Sequence, residues 1–132
     1  MINEPLQRLK DLYEQTEEYG FSWPDTETLL AQIRSECAEV SAAIEEQEGP
    51  ERIQEEVADL LHAVCALCFF KKYDMPNLMR KSADKLNRRF TLLKQLAERQ
   101  GLYNLKDQPY EMMMQLWDEV KILEKIPETH SE

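Results

Sequence analysis

The chain has 132 residues, of which 42% are hydrophobic and 32% are charged. A chain of this length can bury a core without disulfides or a structural metal, and we expect one domain over residues 1–126 with a polar tail over residues 127–132. The formal net charge of −10 argues against general nucleic-acid binding. The longest uncharged run, residues 60–70, is too short to span a bilayer, so we expect no membrane partner. Three cysteines, an odd number, argue against a disulfide framework and indicate a reducing, cytoplasmic compartment.

Apolar residues recur at intervals of three and four along most of the chain, a pattern that predicts amphipathic helices. Asn3 and Asp25 are the expected N-caps of the first two helices, while Gly20 and Gly101 end the first and the fourth. Short links between long helices favour antiparallel neighbours, so the predicted fold is an all-α antiparallel bundle. The five predicted helices cover residues 4–19, 26–47, 50–73, 76–100 and 109–125.

The second and third helices each carry an apolar stripe that we expect to face the core. On the second helix the stripe consists of Ile33, Cys37, Val40 and Ile44. On the third helix it consists of Ile53, Val57, Leu60, Val64 and Leu67.

Two pairs of carboxylates accompany these stripes. Glu36 and Glu39 lie three residues apart on the second predicted helix, and Glu56 and Asp59 lie three residues apart on the third, so each pair shares one helix face. The midpoint of each pair lies ten residues from the same point, between residues 47 and 48. In an antiparallel hairpin that turns near this point, the two pairs lie at about the same height. The sequence therefore predicts that the four carboxylates face one gap.

Four carboxylates in one gap need a counter-charge, and a ligand set made of oxygen alone suits Mg²⁺ or, as a substitute, Mn²⁺. The charge distribution offers a second part of such a site. Residues 27–59 contain ten Asp and Glu but two Lys and Arg, whereas residues 71–99 contain nine Lys and Arg but three Asp and Glu. Lys85, Arg88 and Arg89 on the fourth predicted helix are candidates to hold phosphate oxygens.

These residues resemble the MazG family of all-α nucleotide pyrophosphohydrolases. The family pattern of Glu-x-x-Glu followed by Glu-x-x-Asp stands here as Glu36-Cys37-Ala38-Glu39 and Glu56-Val57-Ala58-Asp59. Three further segments are similar to MazG sequences, in the expected order: residues 23–28, 84–89 and 117–121. Ser35 stands where the family often has a glutamate.

The resemblance implies Mg²⁺-dependent hydrolysis of a nucleoside triphosphate, with a ribose or a deoxyribose, to the monophosphate and pyrophosphate. It implies that Glu36, Glu39, Glu56 and Asp59 bind the metal and that one of them orients the attacking water. It further implies that Lys85, Arg89 and Lys121 contact phosphates and that Trp117 packs against the nucleotide. Together with the apolar residues Leu6, Leu9, Met112 and Met113, it implies a homodimer or a dimer of dimers.

Two other functions remain open on the sequence alone. A di-iron carboxylate bundle uses two Glu-x-x-His motifs, and the nearest segment here is Asp59-Leu60-Leu61-His62. A non-enzymatic helical adaptor would use the acidic and basic helices to bind partners, or would simply expose them to solvent.

Overall fold

A computed structural model of the chain describes residues 3–126. The predicted tail at residues 127–132 lies outside the described residues. Within them the chain forms five α-helices and no strand, which confirms the predicted all-α class. The helices are α1 (Glu4–Tyr19), α2 (Thr26–Glu45), α3 (Pro50–Phe70), α4 (Met75–Arg99) and α5 (Tyr110–Lys125).

Side chains and glycine fix the first helix boundaries as expected. The Asn3 carboxamide oxygen accepts a hydrogen bond from the Leu6 amide at 2.9 Å, which satisfies a free donor in the first turn of α1. Gly20 then ends α1 in the left-handed conformation, with φ of 104°. The Asp25 carboxylate accepts hydrogen bonds from the Thr28 amide at 2.8 Å and from the Thr28 hydroxyl at 2.7 Å. These bonds stabilise the ionised form and lower the pKa of Asp25.

Helices α2 and α3 are shorter at their C-terminal ends than the apolar pattern predicts. The chain leaves α2 after Glu45 and α3 after Phe70, not at residues 47 and 73. In each case a non-glycine residue with positive φ follows the helix, Gln47 at 54° and Lys72 at 60°. A left-handed residue of this kind ends a helix without the glycine that would mark the position in the sequence.

The described residues form two compact units, one up to Leu78 and one from Met79. In the first unit, α2 and α3 form an antiparallel hairpin, and α1 packs against α3. Its main core cluster consists of Tyr13, Leu29, Cys65, Ala66 and Phe69, with Trp23 among the partly buried residues packed against it. In the second unit Ala97, Leu116 and Val120 are buried. A single domain over residues 1–126 stays a prediction.

The buried face of α3 differs from the predicted stripe. The buried apolar residues there are Ala63, Cys65, Ala66, Cys68 and Phe69, whereas Val57 and Val64 are 46% and 41% exposed. On α2, Ile44 is 56% exposed and Ala43 is buried. The predicted stripe is wrong at these positions because the small residues of α3 pack against its neighbours in this chain, which leaves the larger valines uncovered. Within the described residues, no helix combines the length and apolarity that crossing a bilayer would need.

Candidate active site

The α2–α3 hairpin brings three of the four predicted metal ligands together. Glu36 on α2 and Glu56 and Asp59 on α3 each offer one carboxylate oxygen, and these oxygens lie within 4.8 Å of one another. Glu56 and Asp59 approach Glu36 because they stand one turn apart on the face of α3 turned toward α2. Glu39 is exposed and lies outside this group of three.

Glu56 is the buried member of this cluster, with 4% of its surface exposed. Arg52, one turn earlier on α3, forms an ion pair with Glu56 and also contacts Glu55 at 3.0 Å and Glu48 at 3.8 Å. The hydrogen bond to Glu55, followed by the charge of Glu56, raises the pKa of Arg52 further. On the other helix, the Gln32 side-chain amide donates to Glu36 at 2.7 Å. Two of the three carboxylates are therefore held by neighbours on their own helix.

The donor set and spacing fit a small divalent cation. Oxygen ligands lie about 2.1 Å from Mg²⁺, so two oxygens on one ion are roughly 3 to 4 Å apart. The separations of up to 4.8 Å in the cluster require only small side-chain rotations to reach this range. Glu36, Glu56 and Asp59 could thus hold Mg²⁺ or Mn²⁺, and no softer ligand takes part in the cluster.

An aromatic cavity of about 520 Å³ lies in the first unit. Its lining includes Tyr13 on α1, Trp23 in the α1–α2 connection and His62 on α3. His62 stands one turn after Asp59, which is about 4.5 Å along the helix axis. The Tyr13 hydroxyl is buried without a hydrogen-bond partner among the described residues. Burial, and then the nearby Glu17 carboxylate, raise the pKa of Tyr13 to about 12.

The predicted phosphate-binding residues meet in the second unit. Lys85, Arg88 and Arg89 on α4 and Lys121 on α5 line a depression of about 550 Å³, together with Glu124 and Lys125. The Arg89 Nε donates to Glu124 at 2.7 Å, and the Arg89 guanidinium carbon lies 5.7 Å from the centre of the Trp117 ring. The structure therefore brings Lys85, Arg88, Arg89 and Lys121 together, with Trp117 beside Arg89.

Several residues of these sites escaped the sequence analysis. Arg52 stands four residues before Glu56, and Glu124 stands three residues after Lys121, so helical spacing alone could have indicated both. The sequence drew attention to His62 only as part of the segment nearest to a Glu-x-x-His motif, whereas His62 is exposed and lines the aromatic cavity. No signal in the sequence marked that cavity, because it depends on how α1 packs against α3.

The family model of the MazG nucleotide pyrophosphohydrolase domain matches residues 25–93, just over half of the chain. The chain belongs to the MazG family. The matched region contains α2, α3 and all four predicted carboxylate ligands.

One similar protein is the nucleoside triphosphate pyrophosphohydrolase/pyrophosphatase MazG of Thermotoga maritima. It is 29% identical over 116 residues, which make up 88% of this chain. The chain spans 44% of the length of that MazG relative.

Proposed function

We propose that this MazG-family chain hydrolyses a ribo- or deoxyribonucleoside triphosphate to the monophosphate and pyrophosphate with Mg²⁺, or with Mn²⁺ as a substitute. The observation that carries the proposal is the convergence of Glu36, Glu56 and Asp59 at the α2–α3 hairpin. The family match and the name of the Thermotoga relative support it. In the reaction one phosphoanhydride bond breaks, the oxygen of one water joins phosphorus, and the proton released leaves to the solvent.

The carboxylates take the central role in this proposal. Glu36, Glu56 and Asp59 bind the metal, and Glu39, one turn after Glu36, is the fourth ligand. A bound divalent cation neutralises phosphate charge and lowers the pKa of water. One carboxylate accepts a hydrogen bond from the attacking water and aligns it with the phosphorus. Because Glu56 is buried and Arg52 is already paired with it, we expect Glu56 to be the least mobile of the ligands.

The basic cluster is the proposed phosphate-binding element. Lys85, Arg88, Arg89 and Lys121 line one depression, and guanidinium groups match the geometry of phosphate oxygens. Arg→Ala changes at the surface of a helix usually alter stability by within about 0.5 kcal/mol. Arg88 is exposed, so Arg88→Ala is expected to weaken nucleotide use much more than folding.

The aromatic cavity is the proposed site for the nucleoside part of the substrate. One of its lining residues, His62, stands one helical turn after Asp59, and its lining offers Trp23 for stacking and the exposed Thr28 for hydrogen bonds. Pockets of this size and character, apolar with a few polar groups, are typical of sites for small molecules. Trp117, beside Arg89, is a second candidate for contact with the nucleotide.

We further propose that the protein is a homodimer or a dimer of dimers. Ile44 on α2 and Val57, Leu61 and Val64 on α3 are all exposed in the single chain, and apolar surface of this kind on adjacent helices is typical of an interface. A reducing, cytoplasmic compartment is also proposed, in keeping with three free cysteines at Cys37, Cys65 and Cys68.

The direct experiment is a panel of ribo- and deoxyribonucleoside triphosphates incubated with the full chain and Mg²⁺. We expect release of pyrophosphate and the monophosphate from at least one nucleotide, and loss of release when EDTA replaces the metal. Release of orthophosphate alone would assign a different bond cleavage. Failure to hydrolyse any nucleotide would instead favour a helical adaptor.

A further inference from the structure

The basic depression of the second unit contains one acidic residue. Glu124 lines it together with five basic residues: Lys85, Arg88, Arg89, Lys121 and Lys125. Because a carboxylate repels an anion, Glu124 would weaken phosphate binding here if its charge acted alone. The presence of Glu124 in the lining therefore requires another explanation.

The contact between Glu124 and Arg89 explains why an acidic residue lies here. The Glu124 carboxylate accepts a hydrogen bond from Arg89 Nε at 2.7 Å, and the two side chains are only 20% and 21% exposed. The Trp117 ring lies 5.7 Å from the guanidinium carbon, within the range of a cation–π contact. Arg89 is thus held by a carboxylate at Nε and by an aromatic ring at the guanidinium.

Because the bond to Glu124 uses Nε of Arg89, the Nη donors of the guanidinium remain available to a ligand. An arginine that samples many rotamers has to be ordered when an anion binds, which weakens the binding. A side chain that is already fixed avoids this loss, and charge-assisted bonds of the Arg–carboxylate type are strong enough to fix it. The group that holds Arg89 Nε must accept a hydrogen bond, which a lysine ammonium at position 124 could not do.

We propose that Glu124 is a positioning residue that holds the Arg89 guanidinium ready for the phosphate oxygens of the substrate. This inference rests on the proposed phosphate role of Arg89. In this role Glu124 strengthens anion binding, although its negative charge by itself would weaken it.

Binding of inorganic tripolyphosphate to the full chain, measured by calorimetry without metal, tests the assignment. We expect Glu124→Ala to raise the Kd by roughly 3- to 10-fold, a factor comparable with the ordering of one long side chain. Glu124→Gln, which keeps an acceptor of the same shape, should lose less. Glu119→Gln, an exposed acid on the opposite face of α5, is the matched control and should leave the Kd unchanged.

An Arg89→Ala background provides the decisive comparison. With Arg89 absent, Glu124 can only repel the anion, so adding Glu124→Ala should lower the Kd. A merely structural role for Glu124 would not reverse the sign. If Glu124→Ala prevents folding, judged by melting curves, the same comparison is made with Glu124→Gln.

A Kd that does not fall when Glu124→Ala is added to Arg89→Ala would overturn the inference, and so would either of two other results. One is a Kd that is unchanged or lower in the Glu124 variant while Arg89 is present. The other is no tripolyphosphate binding by the wild type. Pyrophosphate release from nucleotides by the wild type, measured in parallel, tests the proposed function separately, so that the positioning role can fail while the activity stands.

Discussion

Glu56 illustrates how one buried charge shapes the candidate site. It is 4% exposed, and a buried carboxylate is stable only when it is paired or bound to a cation. Arg52 provides the pairing within α3, while Glu36 and Asp59 add negative charge nearby. In the proposed site, a metal ion and Arg52 would be alternative counter-charges for the same carboxylate.

This competition leads to a prediction for Arg52→Gln. Without metal, the variant should melt at a lower temperature than the wild type, because Glu56 loses its partner. Saturating Mg²⁺ should narrow this difference in melting temperature between the wild type and Arg52→Gln, since the ion is expected to neutralise Glu56 in both proteins. Arg34→Gln, an exposed position on α2, is the control. Melting curves in EDTA and in Mg²⁺ make the comparison, and a difference that grows in Mg²⁺ would contradict the competition.

Tyr13 gives a prediction for alkaline pH. Its pKa is raised from 10.0 to about 12, so the folded state keeps a proton that the unfolded chain loses. The stabilisation is fully present below pH 10 and is lost as pH rises toward 12, by up to roughly 2 to 3 kcal/mol. Tyr13→Phe should remove this part of the alkaline loss. Urea unfolding at pH 9 and at pH 11.5 measures the fall in the free energy of unfolding. An equal fall in the wild type and in Tyr13→Phe would contradict the assignment.

At the scale of elements, the α2–α3 hairpin carries most of the candidate site. The faces that these helices bury decide which carboxylates converge and which apolar residues remain uncovered. Cys65 and Cys68 are buried on α3, whereas Cys37 on α2 is exposed. Burial also raises the pKa of both α3 thiols.

The reactivity of the three thiols shows which faces of α2 and α3 are buried. In the folded protein at pH 8, Cys37 should react rapidly with a disulfide reagent, while Cys65 and Cys68 should react only after unfolding in urea. Cys37→Ser is the control that should abolish the rapid phase. Rapid reaction of two or more thiols in the native protein would show that α3 presents a different face to the core.

The hairpin also shows what the sequence could and could not predict. The approach of Glu36 to Glu56 and Asp59 was predictable because helical spacing and distance from the turn are both read directly from the chain, whereas Glu39 lies outside this group. The buried face of α3 was predicted only in part, since Val57 and Val64 look like core residues until the small side chains of Ala63 and Ala66 are seen to pack instead. The aromatic cavity was not predictable, because it depends on the packing of α1 against residues distant in sequence.

For the molecule as a whole, the uncovered apolar residues of α2 and α3 are the support for the proposed assembly. Leu61 is 63% exposed and lies near Val57 and Val64 on α3. A helix face of this kind is costly to leave in water. The proposed homodimer would cover it.

Leu61→Glu should therefore disrupt the assembly without unfolding the chain. The wild type should sediment with at least twice the mass of one 15.6 kDa chain at micromolar concentration, and the variant should approach the mass of one chain. Glu45→Gln, on an exposed part of α2, should leave the mass unchanged. A wild type that sediments as one chain would contradict the proposal.

Pyrophosphate release by carboxylate variants is the sharpest test of the proposed metal site. Asp59→Asn and Glu56→Gln keep the side-chain shape but remove a metal ligand, so release from the best nucleotide should fall by at least about 100-fold. The Mg²⁺-induced rise in melting temperature should shrink in both variants, while Glu45→Gln should retain both properties. An Asp59→Asn protein with wild-type pyrophosphate release and an unchanged response to Mg²⁺ would contradict the proposed site.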